Sequence, residues 1–116
     1  KSGRLIGSYN FGGSEFDRGT SITKGPMGST FITGYSRSLD GDMYINKGEN
    51  DIFLMYIPDD GSELKTMILG GEGQDFAYDV LVLRDGGVML VGQTFSKNPP
   101  FDQNNGKSDI LVAHYR

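Results

Sequence analysis

An internal repeat of 58 residues constrains this sequence more than any other feature. When residues 1–58 are laid over residues 59–116 without a gap, eleven positions carry the same residue, and the two copies account for all 116 residues. Most matches are glycine or aspartate, which are turn-forming residues, so both copies are predicted to turn at the same places. The sequence therefore predicts one repeat domain, 1–116, made of two similar units, 1–58 and 59–116.

The composition favours a small all-β protein and excludes several functional classes. The chain has 18 glycines, four prolines and 11% aromatic residues, a mixture typical of short strands joined by turns. It has no cysteine, which excludes disulfides, cysteine-based metal sites and cysteine nucleophiles. The net charge of -4 argues against nucleic acid as a partner, and the short apolar runs predict no membrane span.

Four strands are predicted in each unit, and no segment shows the capped 3.6-residue pattern of an α-helix. The predicted strands are Arg4–Asn10, Thr20–Lys24, Thr30–Tyr35 and Asp51–Ile57 in the first unit, and Leu64–Leu69, Tyr78–Leu83, Val88–Gln93 and Asp109–Tyr115 in the second. Their apolar runs lack clean alternation, which indicates strands covered on both faces. One four-stranded antiparallel unit cannot cover both of its own faces. The units are therefore expected to stack as blades of a β-propeller, with a solenoid as the alternative.

The turn residues of the first unit resemble those of a bacterial propeller repeat. The resemblance rests on the pair Gly12-Gly13, on Asp17, on the loop Asp40-Gly41-Asp42 and on Asn50-Asp51. On these residues the chain is similar to the SBBP-like β-propeller repeats of secreted proteins and surface lipoproteins of bacteria. The resemblance implies propeller blades and an extracellular or cell-surface location, with the export signal removed or outside this sequence. In the second unit Asn98-Pro99-Pro100 replaces the acidic loop, so no role of that loop carries over.

Two blades are too few to close a ring, since propellers typically have about 4 to 8. In each blade the innermost strand is expected to be Thr20–Lys24 or Tyr78–Leu83, and the outermost is the strand before a glycine pair. The last blade then lacks its outer strand, which Arg4–Asn10 is expected to supply. Identical chains or further repeats are predicted to complete the ring. A trimer of two-blade chains is favoured, a tetramer comes second, and a linear or swapped dimer is the alternative.

Two 15-residue loops, 36–50 and 94–108, carry the candidate ligand-binding residues. Both are longer than a usual hairpin loop, and long loops are often functional. They are expected on the same side as the glycine-pair turns, where acidic and aromatic side chains would gather and could bind a glycan, a peptide or a cation. The candidate ligand-binding residues are Asp40, Asp42, Tyr44, Phe95, Phe101 and Asp102.

Residues that recur in both units are predicted to have a structural role. Short polar side chains at such positions hydrogen-bond the backbone of the turn, and glycines permit its geometry. The predicted structural turn residues are Gly12, Gly13, Asp17, Asp51, Gly70, Gly71, Asp75 and Asp109.

No cofactor and no strong metal site are predicted. Asp40, Asp42 and Asn46 supply oxygen ligands of the kind that Ca²⁺ prefers, which makes them the candidate for a weak cation site, but their spacing does not match an EF-hand loop. His114 is the only histidine, and nothing near it in sequence suggests activation for nucleophilic catalysis.

Three functions remain open for such a chain. The first is a non-enzymatic extracellular module that binds a glycan or a protein, or that drives assembly, through its long loops. The second is a glycoside hydrolase or lyase that uses acidic loop residues. The third is a structural fragment of a longer repeat protein. The first is favoured because catalytic motifs are missing, and it rests largely on analogy at the level of the fold.

Overall fold

The computed structural model describes residues 3–44, 46, 49–101, 104 and 106–116. Within them the chain forms seven strands: β1 (Asp17–Lys24), β2 (Thr30–Ser36), β3 (Asp51–Ile57), β4 (Lys65–Leu69), β5 (Asp75–Val82), β6 (Val88–Thr94) and β7 (Asp109–Tyr115). Helical structure in this part of the chain is confined to two 3₁₀ turns, Pro26–Gly28 and Gly41–Met43. The prediction of an all-β chain is confirmed.

The strands form two antiparallel sheets that follow the order of the sequence. The first sheet has the order β1-β2-β3-β4, and the second has the order β5-β6-β7. Strand β4 precedes the second glycine pair and adds to the edge of β3, with Ile52 opposite Leu69 and Tyr56 opposite Lys65. The fourth strand of the first sheet therefore comes from the second repeat unit.

The predicted strand Arg4–Asn10 does not form in the single chain. This segment lies in no strand, and Leu5, Ile6 and Tyr9 are 79%, 93% and 83% exposed. Lys65–Leu69 occupies the edge of β3, and within the single chain the segment does not pair with the outer edge of β7, which has no further strand among the described residues. The second sheet consequently has three strands among the described residues instead of the predicted four.

The hydrophobic core lies between the two sheets, at a contact that we call the central interface. One face of the first sheet packs there on one face of the second, so each sheet buries apolar surface that it could not bury alone. The buried side chains of this core are Phe31, Ile52, Leu54, Ala77, Val80, Val88 and Leu90.

Each sheet also has a distal face, which points away from the central interface. On the distal face of the first sheet, Phe53 and Met55 pack with Phe11 and Met43 in a second buried cluster, while Ile22 is 68% exposed. The distal face of the second sheet is open in the described chain. It exposes 53% of Leu81, 40% of Val91, 84% of Ile110 and 57% of Val112.

The equivalent strands β3 and β7 differ in burial for this reason. Residues Asp51–Met55 of β3 are all buried, whereas β7 alternates between half-buried and exposed side chains. Strand β3 lies between two packed faces, whereas in the described part of the chain only one face of β7 is packed. The expectation that these apolar runs are covered on both faces is confirmed for β3 and wrong for β7.

Strands β1 and β5 begin three residues earlier than predicted, and each carries a bulge-like shift in register. At the facing position on the neighbouring strand both units have a glycine, Gly34 or Gly92. An added Cβ at Gly34 would overlap the carbonyl oxygen of Arg18, and one at Gly92 would overlap that of Phe76. Close approach of two backbones therefore requires glycine at these two repeat positions.

The variant Gly92→Ala is expected to unfold more readily than the wild type. Its methyl group would meet backbone, which cannot rotate away, so we expect a loss of about 3 kcal/mol, the upper end of ordinary overpacking. Gly106→Ala is the matched control, because nothing lies within 4 Å of its added Cβ. Urea unfolding followed by circular dichroism measures both variants, and equal midpoints would contradict the steric account.

Candidate functional site

A half-buried carboxylate organises the loop end of the first sheet. Asp17 accepts hydrogen bonds from the Gly13 amide at 3.0 Å and from the hydroxyls of Ser36 at 2.5 Å and Ser38 at 3.1 Å. The Ser38 hydroxyl oxygen in turn accepts from the Glu15 amide at 3.0 Å. These bonds tie the glycine-pair turn to the start of loop 36–50.

The same network occurs 58 residues later around Asp75, which is fully buried. Asp75 accepts from the Gly71 amide at 3.0 Å and from the hydroxyls of Thr94 at 2.6 Å and Ser96 at 3.0 Å. The Gly73 amide donates to the Ser96 hydroxyl oxygen at 3.0 Å. The two networks match bond for bond, which gives a physical reason for the recurrence of these residues.

A second bond in each unit joins the loop to the same turn. The Ser14 amide donates to Asp40 Oδ1 at 2.8 Å, and the Glu72 amide donates to Asn98 Oδ1 at 2.8 Å. Asp40 and Asn98 are repeat partners, so the change of residue keeps the oxygen acceptor and removes the charge. The two loops differ less in structure at this point than their sequences indicate.

Loop 36–50 carries a further clamp that depends on Asp42. The Gly12 amide donates to Asp42 Oδ2 at 2.9 Å, and the Asp42 amide donates to the Gly12 carbonyl at 3.1 Å. Gly41, at a φ of 62°, brings its backbone so close that an added Cβ would overlap the Gly12 carbonyl oxygen. The repeat partner of Asp42 is Pro100, which has no carboxylate to offer.

Hydrogen bonds lower the pKa of three exposed carboxyls, those of Asp40, Asp60 and Asp79. For Asp60 the main cause is the Ser62 hydroxyl. For Asp40 the main cause is the backbone amide of Ser14, followed by the Ser14 side chain. For Asp79 the main cause is the Ser21 hydroxyl, which donates to its Oδ1 at 2.6 Å. These donors favour the ionised form of the carboxylate.

Asp42 and Tyr44 line an open cleft of about 760 Å³ beside loop 36–50. Glu63, Lys65 and Thr66 form part of its lining, just before and within β4. Tyr44 is 67% exposed. Sequence reasoning missed the β4 side because that strand belongs to the other repeat unit, and only the sheet order brings it beside the loop.

The other predicted ligand-binding residues are not among those that line this cleft. Asp40 is exposed and accepts a hydrogen bond from the Ser14 amide. Phe95 is 41% exposed, with its ring 6.3 Å from that of Phe76 in an edge-on arrangement. Phe101 is 6% exposed, which leaves it little surface for a ligand. Asp102 lies outside the described residues.

The remaining predicted turn residues start the third strand of each sheet. Asp51 is fully buried, and an added Cβ at Gly70 would overlap its carboxylate. Asp109 is half-buried at the start of β7. The Asp51 carboxylate therefore lies against the second glycine pair. It leaves no room for a side chain at position 70.

The candidate cation residues each bond to the protein itself. Asp40 and Asp42 accept from backbone amides of the turn, and the Asn46 side-chain amide donates to the Ser36 carbonyl at 2.6 Å. In the described part of the chain no group of three or more His, Cys, Asp or Glu residues is placed to hold a metal ion.

Comparison with known proteins does not assign the site. No protein-family model, no curated protein and no solved structure matches the chain. Across the described ranges, no helix has the length and apolar character needed to cross a membrane.

The variant Asp75→Ala is expected to destabilise the chain by about 3 kcal/mol, because it leaves buried amide and hydroxyl donors without an acceptor. Asp59→Ala is the control, since Asp59 is exposed and surface changes usually stay within about 0.5 kcal/mol. Asp17→Ala should fall between the two, because its network is only half-buried. Thermal and urea unfolding provide the ranking, and a loss for Asp75→Ala as small as that of the control would contradict it.

The Ser14 amide is expected to report the titration of Asp40. The lowered pKa means that the Asp40 contact is fully present above the ordinary aspartate value of about 3.9 and is lost as the pH falls through the lower folded-state value. Asp40→Asn should abolish the pH dependence of the Ser14 amide shift and keep the bond, as Asn98 does in the second unit. NMR titration measures this, and a midpoint at or above the ordinary value would contradict it.

Proposed function

We propose that this protein is a non-enzymatic binding module whose ligand is a glycan, held in the cleft between loop 36–50 and β4. The observation that carries the proposal is the lining of the cleft, which combines an aromatic ring, two carboxylates and an ammonium group. A sugar presents an apolar C–H face and several hydroxyls. An exposed ring suits the first, and charged donors and acceptors suit the second.

The loop side of the cleft is set in place before any ligand arrives. The reciprocal bonds between Gly12 and Asp42 fix the 3₁₀ turn Gly41–Met43. Met43 is 1% exposed and anchors that turn in the cluster on the distal face of the first sheet. Tyr44 follows directly, so its ring projects from an anchored turn. A positioned ring loses less conformational entropy when it binds.

Thr66 adds a polar group to the lining of the cleft. Its hydroxyl is buried and has no hydrogen-bond partner among the described residues. An unsatisfied buried hydroxyl is costly.

Binding is favoured over turnover by the state of the carboxylates. A glycoside hydrolase needs one carboxylic acid with a raised pKa to protonate the leaving group. Asp42, the loop carboxylate that lines the cleft, instead accepts a hydrogen bond from the Gly12 amide. The loop carboxylates therefore act first as structural acceptors.

Within the same proposal, the two sheets are blades of a β-propeller displayed outside a bacterial cell, as the resemblance to SBBP-like repeats implies. The matched loop networks and the face-to-face packing of the sheets support this interpretation. Identical chains supply the remaining blades, with three chains per ring preferred over four.

The variant Tyr44→Ala is expected to weaken glycan binding by about tenfold or more, because it removes the stacking surface. A glycan array identifies the ligand on the wild-type chain, and titration calorimetry with that glycan measures the loss. Phe16→Ala is the matched control. Phe16 is 78% exposed and does not line the cleft, so its removal should leave the affinity unchanged.

A blank array with folded wild-type protein would contradict the proposal, and so would equal losses for the two aromatic variants. Release of reducing sugar from the same glycans would favour the hydrolase alternative. In that case Asp42→Asn should abolish turnover.

A further inference from the structure

The 58-residue repeat relates the faces of the two sheets as well as their loops. Ile52 and Leu54 lie in the central interface and are 0% and 1% exposed. Their repeat partners, Ile110 and Val112, lie on the distal face of the second sheet and are 84% and 57% exposed. That distal face is thus a second copy of a surface that the first sheet buries completely.

The complementary surface also occurs twice. Val80 and Leu90 of the second sheet pack in the central interface and are 6% and 2% exposed. Their repeat partners on the distal face of the first sheet are Ile22, which is 68% exposed, and Ile32, which is half-buried. The chain therefore carries both halves of the central interface a second time, on opposite sides of the molecule.

Both distal faces contain a shallow groove. Leu81, Met89 and Val112 line one of about 130 Å³ on the second sheet. Ile32 and Phe53 line one of about 150 Å³ on the first sheet. The exposed apolar side chains around the groove on the second sheet are of the kind that marks an interaction site.

The edge strand β4 has a counterpart in the same 58-residue repeat. Strand β4, Lys65–Leu69, pairs with the edge of β3, and the segment 58 residues before it is Gly7–Phe11. Leu69 packs in the central interface, and its repeat partner Phe11 packs on the distal face of the first sheet. Gly7–Phe11 thus ends at the surface where another sheet would arrive, and it lies in no strand.

We propose that the partner of these surfaces is a second copy of this chain, bound head to tail. The distal face of the second sheet of one copy packs on the distal face of the first sheet of the next. Residues Gly7–Phe11 of that next copy then extend the first copy's β7 at its outer edge, which has no neighbouring strand in the described part of the chain. The contact repeats the central interface between molecules. It rests on the proposed role of the sheets as blades, and it names the surfaces that join them. Because unlike faces meet, the contact closes into a ring or continues as a filament.

Sedimentation velocity from low to high micromolar concentration tests the interface on the whole chain. The wild type is expected to form multiples of the chain mass. Ile22→Glu and Val112→Glu each bury a charge in the contact and should weaken assembly by about 100-fold or more. Both positions are exposed in the single chain, so circular dichroism should stay unchanged. Leu39→Glu is the control, at a 67% exposed loop residue, and should assemble like the wild type.

Mixing the two variants establishes which faces meet. Ile22→Glu keeps the second-sheet face intact, and Val112→Glu keeps the first-sheet face intact, so the mixture should form a complex with one copy of each and grow no further. If instead each distal face bound the same distal face of another copy, the variant with that face intact would assemble as the wild type does. That result would overturn the proposal. A wild-type chain that stays monomeric throughout would also overturn it.

Hydrogen exchange tests the added strand in the same samples. The amides of Gly7–Phe11 and of the outer edge of β7 should gain protection when the wild type assembles, and they should not gain it in Val112→Glu. Assembly without this protection would overturn the strand pairing.

Glycan binding is measured separately on the Val112→Glu monomer, because the cleft lies within one chain. Binding by a wild-type chain that never assembles would overturn the interface and leave the ligand proposal standing. Assembly without binding to any glycan would overturn the ligand proposal and leave the interface standing.

Discussion

The carboxylate of Asp75, with its counterpart Asp17, is the interaction on which both units depend. Each carboxylate collects one backbone amide from a glycine-pair turn and two hydroxyls from the end of the second strand. A buried charge is tolerated only when such donors surround it, and once surrounded it fixes their positions. The loop, the turn and the start of the inner strand are thereby held as one body in each unit. Loop 36–50 owes its position beside β4 to this network and to the clamp between Gly12 and Asp42.

The stacking of the two sheets is the second constraint. A sheet with two apolar faces requires a neighbour on each side, and one chain satisfies this only at the central interface. The consequences are visible in the contrast between Leu54, which is 1% exposed, and Val112, which is 57% exposed. The two apolar residues occupy the same place in the repeat, and a sheet lies over the first but not over the second in the described chain. The proposed head-to-tail contact follows from this difference, and the proposed glycan cleft lies at the edge of the same stack.

Much of the fold could be predicted from residues that recur. The glycine-pair turns at Gly12-Gly13 and Gly70-Gly71 and the strands β2, β3, β6 and β7 follow from turn chemistry and apolar runs, which act locally. Arg4–Asn10 could not be assigned in this way, because a segment becomes a strand only where it pairs with another strand, and local sequence does not decide that pairing. The site was predictable in part. Asp42 and Tyr44 lie in the cleft, whereas Phe101 is buried, since loop length says nothing about which way a side chain turns.

By itself the sequence determined the repeat, the all-β class and the positions of the turns, because glycine and aspartate impose local backbone geometry wherever they stand. The tertiary structure alone decided that Glu63 and Lys65 join Tyr44 at one cleft. It alone also showed that Asn98 replaces Asp40 as an acceptor, and that one copy of an apolar face is buried while the other is exposed. These facts depend on which segments meet across a sheet edge or a stacked face. Residues far apart in the chain meet there only after the strands have paired and the sheets have packed.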